Sequence, residues 1–533
     1  MSRSEYFRRH VLVPLGSTIA LLGAWSLLSF LPSLATVLPA PWVVAAQMVR
    51  DLGLYPRNIA VTAQSALLGY LAGNAIAIAL VVVTLPFQRT QRLIERVAVG
   101  AVALPLIAVA PILAIAFSGN MPSIILAAQA VLFPTVVATA VGLRAIDRSS
   151  VEVILAAGGS NWTALRLARL PAAVPSVVAG LQIAAPSALL GAIIGEYMGG
   201  TQGLGVAMVQ AQGSFEVARA WGIAIVIAAM AAVVYLAIPW LARAVLPWAR
   251  VTVANLGVKA DRIAADKGGW QTLLGFAISI ALTAATVVAC WWIAVLIVPG
   301  GAYVARGPLE VIPYLTSQST NLLTAGETTA GTAWQYLLTA LGQTFLDAGV
   351  GFVAGLVFAV VVAVLAFQWP AVEQALMPVS MVLRSVPIVA AMPLLAMIFG
   401  RGLLAVTVLV TIMTFFPTLV NLLVAMRNTP QSAIDLFTSV GAGRALQIRK
   451  LMIPYALPAL MGSIKIALPM SIGAAMVAEW LATGQGLGAS MTVAATISDY
   501  NFVWAGVVAV LLASLIAYHV AGLLESQALR RLS

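Results

Sequence analysis

The sequence predicts an all-α, polytopic membrane protein of about twelve transmembrane helices, arranged as two parallel six-helix repeats. Composition, evenly sized apolar runs and an internal duplication carry that expectation. Of the 533 residues, 62% are hydrophobic and only 8% charged, with a mean hydropathy of +1.03. That leaves too little polar surface to clothe a soluble globule of this size. The apolar runs are roughly 20 residues long, the length a helix needs to cross about 30 Å of hydrocarbon. In chain order they cover residues 11–31, 60–84, 98–118, 122–143, 173–195, 219–243, 271–298, 337–366, 377–399, 403–425, 456–481 and 502–524.

The first run follows a charged decapeptide, as in a signal peptide. It is long, however, and no small-residue cleavage site is evident after it, so it reads as the first membrane helix. The net charge of +11 could point to a nucleic-acid partner, but its placement points to topology instead. With the N-terminus inside, 21 of the 28 basic residues fall in inner segments, among them Arg3, Arg92, Arg148, Arg262, Arg449 and Arg531. The positive-inside rule then puts both termini in the cytoplasm. The single cysteine, Cys290, lies inside the seventh run and excludes a disulfide framework or a redox pair. Its chemistry is that of a small packing residue.

The duplication has an offset of 283 residues. Glu152, Gly158, Pro171, Pro175, Pro186 and Glu196 of the first copy answer to Asp435, Gly441, Pro454, Pro458, Pro469 and Glu479 of the second. Gln202-Gly-Leu-Gly205 pairs with Gln485-Gly-Leu-Gly488, Met208 with Met491, Trp221 with Trp504, and Phe133-Pro134-Thr135 with Phe416-Pro417-Thr418. Upstream the offset drops to 282, as in Gly69 and Gly73 against Gly351 and Gly355. Six crossings separate the copies, so both have one orientation and are related by a pseudo-two-fold axis along the membrane normal. The units expected are 1–243 and 271–533, joined by a mixed-polar cytoplasmic linker at 244–270.

Each copy carries an unusually long inner loop, at about 144–172 and 426–455. The pattern is an acid, a glycine six residues on, and a proline thirteen further. An acid near a helix N-terminus complements the dipole, glycine permits a tight turn, and proline marks the start of the helix that re-enters the membrane. A short helix, a turn and a second helix are therefore expected outside the bilayer.

This spacing resembles the EAA loop of ABC importer permeases, of the type I architecture. In that family the loop's short helix docks into a cleft on the ATPase subunit and passes ATP-driven closure to the membrane helices. The resemblance assigns ATPase coupling to Glu152, Gly158 and Pro171 in one half, and to Asp435, Gly441 and Pro454 in the other. Both copies depart from the family pattern: Val153 and Ile154 replace two alanines, and the second copy reads Asp435-Leu436-Phe437. The segments Leu38-Pro-Ala-Pro41 and Gly195-Glu196-Tyr-Met-Gly-Gly are similar to permeases for aliphatic sulfonates, taurine, nitrate and thiamine precursors.

The resemblance implies two cytoplasmic ABC ATPase subunits, an extracytoplasmic substrate-binding protein and a bacterial inner-membrane location. No phosphate-cradling Gly-x4-Gly-Lys-Ser/Thr is present, so ATP and Mg are expected on the partner subunits and no cofactor on this chain. Two histidines, His10 and His519, at opposite ends of the sequence make no metal site or catalytic triad. No catalytic residue, metal or nucleic acid is expected.

Ionisable residues within spans are costly and default to functional candidates. Asp347, Arg384 and Lys465 lie in spans of the second half, opposite Ser65, Val102 and Gln182 of the first. Arg384 and Lys465 could lower the barrier for an anionic solute such as a sulfonate or nitrate; alternatively Asp347 neutralises one of them while the other snorkels. Glu196 and Glu479 end the fifth helix of each half and are candidates for an outer gate, a binding-protein contact or a simple boundary marker. Pro105, Pro111, Pro387 and Pro393 are expected to kink the third and ninth helices. The rival function is a twelve-helix, ion-coupled secondary transporter, which needs no paired long inner loops and usually places acids deep in its spans.

Overall fold

The computed structural model describes residues 13–31, 37–84, 105–144, 146, 148–246, 248, 304–317, 332–369 and 400–532, with scattered positions in 285–296 and 392–399. Arg384, Cys290 and nearly all of the expected linker lie outside the described residues. Only a helix satisfies its own backbone in hydrocarbon without a partner strand, and no strand occurs among the described residues. Eight helical segments there are long and apolar enough to cross a membrane. They match the expected second, fourth, fifth, sixth, eighth, tenth, eleventh and twelfth spans. The first expected span is the 17-residue helix α1 (Val13–Ser29), and the third is described as the 11-residue α4 (Leu106–Ala116). The seventh and ninth fall mostly outside the described residues.

The first half continues with α2 (Pro41–Arg50), α3 (Tyr55–Thr84), α5 (Met121–Arg144), α6 (Arg148–Ala156), α7 (Asn161–Ala164), α8 (Leu170–Gly199), α9 (Leu204–Gly213) and α10 (Val217–Val245). The second half repeats the series as α11 (Pro308–Ser317), α12 (Ala333–Gln368), α13 (Leu403–Arg427), α14 (Gln431–Ser439), α15 (Arg444–Gln447), α16 (Ile453–Ala478), α17 (Gly486–Thr496) and α18 (Tyr500–Leu532). In each half the fourth crossing is the hub: α5 packs on α3 and α8, as α13 packs on α12 and α16. Small residues allow this closeness, as is usual where lipid gives no hydrophobic drive between helices. Gly73 of α3 faces the Ala128 backbone of α5, and Gly355 of α12 faces Thr414 of α13.

Pro105 caps α4 and Pro111 lies inside it; Pro387 and Pro393 are outside the described residues. α4 bridges the halves, packing on α8 and α5 of its own half and against α16, α17 and α18 of the other, with Pro105 beside Gly473. The buried apolar residues reflect this crossing. Near α6 and α14 the halves have separate clusters, one around Val81, Val136, Leu143 and Leu165, the other around Phe416, Leu419, Ile448 and Met452. At the opposite end a single cluster unites Ile107, Leu204 and Met208 with Met476, Leu487 and Met491.

Candidate functional site

The two long loops fold alike. α6 and α14 are nine residues each and start 283 residues apart. Each ends in a glycine of left-handed backbone, Gly158 at φ +83° and Gly441 at φ +75°, where a residue with a Cβ would be strained. The turn is closed by Gly158 N–H donating to Leu155 O at 3.0 Å and Gly441 N–H to Thr438 O at 3.0 Å. Four-residue helices follow, then matched π-helical turns at Leu165–Arg169 and Ile448–Met452. These lead into α8 and α16, with Pro171 and Pro454 in the first turn, where a missing N–H breaks no helix bond.

Glu152 and Asp435 are exposed, as are Pro171 and Pro454. Around them stand exposed apolar side chains: Val153, Leu155 and Trp162 in one loop, Leu436, Val440 and Leu446 in the other. The loops differ in bracing. The second is tied by Gln447 Nε2 donating to Thr438 Oγ1 (3.1 Å) and Ala442 O (3.0 Å), and by Arg444 Nη2 donating to Phe367 O (3.0 Å). The first has the Ser160 and Thr163 hydroxyls 3.1 Å apart.

Some 26 residues of helix beyond each loop, about 40 Å at 1.5 Å per residue, stand Glu196 and Glu479. Both are buried, 3% and 0% exposed, and both hold the same constellation. Glu196 Oε2 accepts from Thr62 Oγ1 (3.0 Å) and from Gly205 N–H (2.7 Å), while Thr62 Oγ1 accepts from Leu204 N–H (2.9 Å). Glu479 Oε2 accepts from Thr344 Oγ1 (2.9 Å) and Gly488 N–H (2.8 Å), while Thr344 Oγ1 accepts from Leu487 N–H (2.9 Å). Each carboxylate thereby ties its own helix to α3 or α12 and to the first turn of α9 or α17, where orphan N–H groups and the dipole favour an anion. Gly203 (φ +123°) and Gly486 (φ +85°) lie against the carboxylates, and a Cβ there would overlap the carboxylate atoms. The glycines of the Gly-Leu-Gly signature are thus what let the chain close over the acid.

The residue after each acid reaches across the molecule. Tyr197 and Trp480 meet edge to face with ring centroids 5.9 Å apart. They occupy equivalent positions in the two copies, and two equivalent groups can touch only where their symmetry axis runs between them.

Of the embedded charges, Asp347 and Lys465 are described and do not pair with each other; Arg384 lies outside the described residues. Asp347, 2% exposed, accepts from Gln343 Nε2 at 2.9 Å. Lys465 Nζ instead pairs with Glu525 Oε2 at 3.4 Å and lies 4.9 Å from the Tyr518 ring centroid. Asp347 is one helical turn from Thr344, at the far end of α12's partnership with α16, so it is not the counter-ion of Lys465. Gln182, the counterpart of Lys465, donates from Nε2 to Tyr235 O at 3.3 Å. Tyr235 and Tyr518 are equivalent, so both halves use this register of the fifth crossing to hold the sixth.

Outside the spans, Asp51 receives a two-pronged contact from Arg219, Nε at 3.0 Å and Nη2 at 3.1 Å. The guanidinium holds the Asp51 carboxyl below the usual carboxylate range. Trp221 Nε1 donates to Val37 O (3.0 Å) and Trp504 Nε1 to Val304 O (2.8 Å), fastening the segment before each pre-span helix in the same way.

Thr62 with Thr344, and Tyr197 with Trp480, escape a search for ionisable residues, although each pair was present in the repeat. A hydroxyl and an aromatic ring at matched positions look like ordinary helix packing until their partners are known. No group of three or more potential metal-ligating side chains occurs among the described residues.

The fold is thus a duplicated helical bundle with a matched pair of long loops, and comparison with known proteins assigns it. Residues 65–251 and 351–530 match the binding-protein-dependent transport system inner membrane component, so the chain belongs to that family and carries its domain twice. It is the inner-membrane permease component of a binding-protein-dependent ABC transporter and not itself an ATPase. The family sets aside the ion-coupled secondary transporter. The chain is 35% identical to the riboflavin transport system permease protein of Chloroflexus aurantiacus over 29% of its length and 57% of the relative's. It is 28% identical to the formylaminopyrimidine transport permease protein of Halalkalibacterium halodurans over 28% of its length and 60% of the relative's. Identity to the taurine transport system permease protein of Escherichia coli is also 28%, over 33% of this chain and 62% of that one. The chain therefore spans less than two thirds of each of these three relatives. No solved structure matches.

Proposed function

We propose that the two permease units rock about their common axis to pass a small solute from an external binding protein to the cytoplasm, driven by two ATPase subunits. The observation that carries this is the duplicated loop: a short helix, a left-handed glycine, and a second helix entering the membrane, at one offset in both halves. Glu152, Gly158 and Pro171, with Asp435, Gly441 and Pro454, form the coupling elements. The exposed Val153, Trp162, Leu436 and Val440 supply the apolar contact that a cleft on the ATPase would bury. ATP and Mg belong to those partner subunits. The basic inner segments put the loops and both termini in the cytoplasm, with the bacterial plasma membrane between them and the binding protein, and residues 244–270 linking units 1–243 and 271–533.

Alternating access fits the distribution of buried clusters: separate at the loop end, shared at the other. As for cargo, Glu525 compensates Lys465; Arg384, outside the described residues, is the other basic candidate in the sequence for lowering the barrier to an anion such as a sulfonate or nitrate. The relatives' names run from taurine to riboflavin, consistent with a scaffold that leaves selection to the binding protein.

Reconstitution with its ATPase and binding protein in proteoliposomes tests this function. Uptake is expected only with ATP and both partners; uptake driven by an ion gradient in a vesicle lacking the ATPase overturns it. Within that assay, Arg384→Gln should slow uptake of an anionic cargo, and unchanged uptake with normal assembly removes the anion assignment.

A further inference from the structure

We propose that Tyr197 and Trp480 are the outer seal of the translocation pathway, an unlike aromatic pair standing on the pseudo-two-fold axis and held there by the buried glutamates beside them. This rests on the permease function proposed above and assigns the closing of its pathway to two side chains. It also changes the part of Glu196 and Glu479, which become the posts on which the seal is hung.

Position is the first ground. A pathway shared by two parallel repeats runs along the axis relating them, and the axis passes between Tyr197 and Trp480, because these equivalent residues touch. Both lie at the end of the bundle opposite the coupling loops, within the cluster that unites the halves; Tyr197 is 9% exposed. An edge-to-face pair of large rings fills the cross-section with apolar surface, which is what excludes water and ions from a narrow passage.

Anchoring is the second ground. A stopper is useful only if it moves with the half that carries it. Glu196 and Glu479 precede the two rings in sequence, and each carboxylate joins three segments of its own half through Thr62 with Gly205, or Thr344 with Gly488. None of these bonds crosses the axis. The ring contact, in contrast, crosses it and involves no charge or hydrogen bond between the rings. When the halves separate, the clamps stay intact and the rings part. Gln212 Nε2 donates to the Tyr197 hydroxyl at 3.4 Å, again from within the first half. The division between strong bonds inside each half and a dispersion contact between halves is that of a seam designed to open.

The experiment uses the complete transport complex, with Cys290→Ser as background so that the introduced thiols are the only ones on this chain. Tyr197→Cys and Trp480→Cys are introduced together and joined by a short bis-methanethiosulfonate linker, with joining verified by mass spectrometry of the peptides. The expected result is that the linked complex loses at least tenfold of its ATP-driven uptake and regains it on reduction, while each single cysteine variant treated alike changes less than twofold. Binding of a non-hydrolysable ATP analogue with the binding protein before the linker is added should lower the linked fraction several-fold. The seal is overturned if the linker fails to join the two positions in the resting complex, or if the linked complex transports at the unlinked rate. Uptake by the untreated double-cysteine complex is measured in parallel. The ATP dependence of uptake is read on the Cys290→Ser complex with both rings in place; if that uptake does not depend on ATP, the permease function fails, a result separate from failure of the seal.

Discussion

Glu196 and Glu479 show how one side chain can organise a membrane protein's far end. Burying a carboxyl group is costly unless hydrogen bonds replace its water; here a threonine hydroxyl and a helix N-terminal N–H do so at Oε2 in each half, while Oε1 is buried without a hydrogen-bond partner. Glu196→Ala and Glu479→Ala each leave a buried N–H without its acceptor, at a cost of about 1–3 kcal/mol. Glutamine at either position keeps the accepting oxygen. Thermal unfolding of the purified chain in detergent should therefore rank wild type and the glutamine variants together above both alanine variants; equal melting of all forms would contradict the clamp. The acid and the Gly-Leu-Gly segments were legible as repeated features. What they do was not, because an acid at a helix end is compatible with a surface boundary, and only the position of Thr62 and Thr344 across the bundle reveals burial. At the loops, glycine itself is the readable element. Gly158→Pro and Gly441→Pro cannot adopt the positive φ of these turns, and both also lose the N–H that closes the turn. Each should reduce ATP-driven uptake relative to ATP hydrolysis. The extra side-chain bracing around Gly441 predicts unequal defects, and identical ones would speak against functional asymmetry between the loops.

Among elements, the fifth and sixth crossings make the comparison between halves most direct. α8 meets α10 through neutral Gln182 and the Tyr235 backbone, whereas α16 meets α18 through the Lys465–Glu525 pair beside Tyr518. Position 242, the counterpart of Glu525, is alanine. Lys465→Gln alone strands Glu525 within a span, where an uncompensated charge costs several kcal/mol by ~2.5–3.5 kcal/mol insertion values. Lys465→Gln with Glu525→Ala recreates the first half's chemistry. The single variant should lower the yield of folded, membrane-extracted protein and the double variant should recover most of it, as read by size-exclusion of the detergent-solubilised chain. Recovery of folding together with uptake would mark the pair as structural; recovery of folding without uptake would return Lys465 to the pathway. Sequence alone does not name Glu525 as the partner of Lys465, because depth along a span is legible but facing is not. Asp347 and Lys465 both read as embedded, yet Asp347 turns to Gln343 on its own helix. Eight of the expected spans were legible in order among the described residues, since a run long enough to cross hydrocarbon has few alternatives. The bridging of the halves by α4 was not, because nothing in an 11-residue apolar helix names its second set of partners.

For the whole molecule, duplication decides the architecture. Two family domains in one chain, matched loops at one end and one shared core at the other place both halves of a transport pathway on a single polypeptide. An ordinary dimer of separate permease subunits would have to select its partner, whereas fusion lets the halves diverge while staying together, and the asymmetries seen here, aspartate for glutamate in one loop and an ion pair in one bundle, require that freedom. The composition of the assembled transporter tests this most directly. Native mass spectrometry of the complex purified with its own ATPase should give one copy of this 55.3 kDa chain with two ATPase subunits. Two copies of the chain sharing two ATPase subunits, or a chain that retains none, would contradict the account.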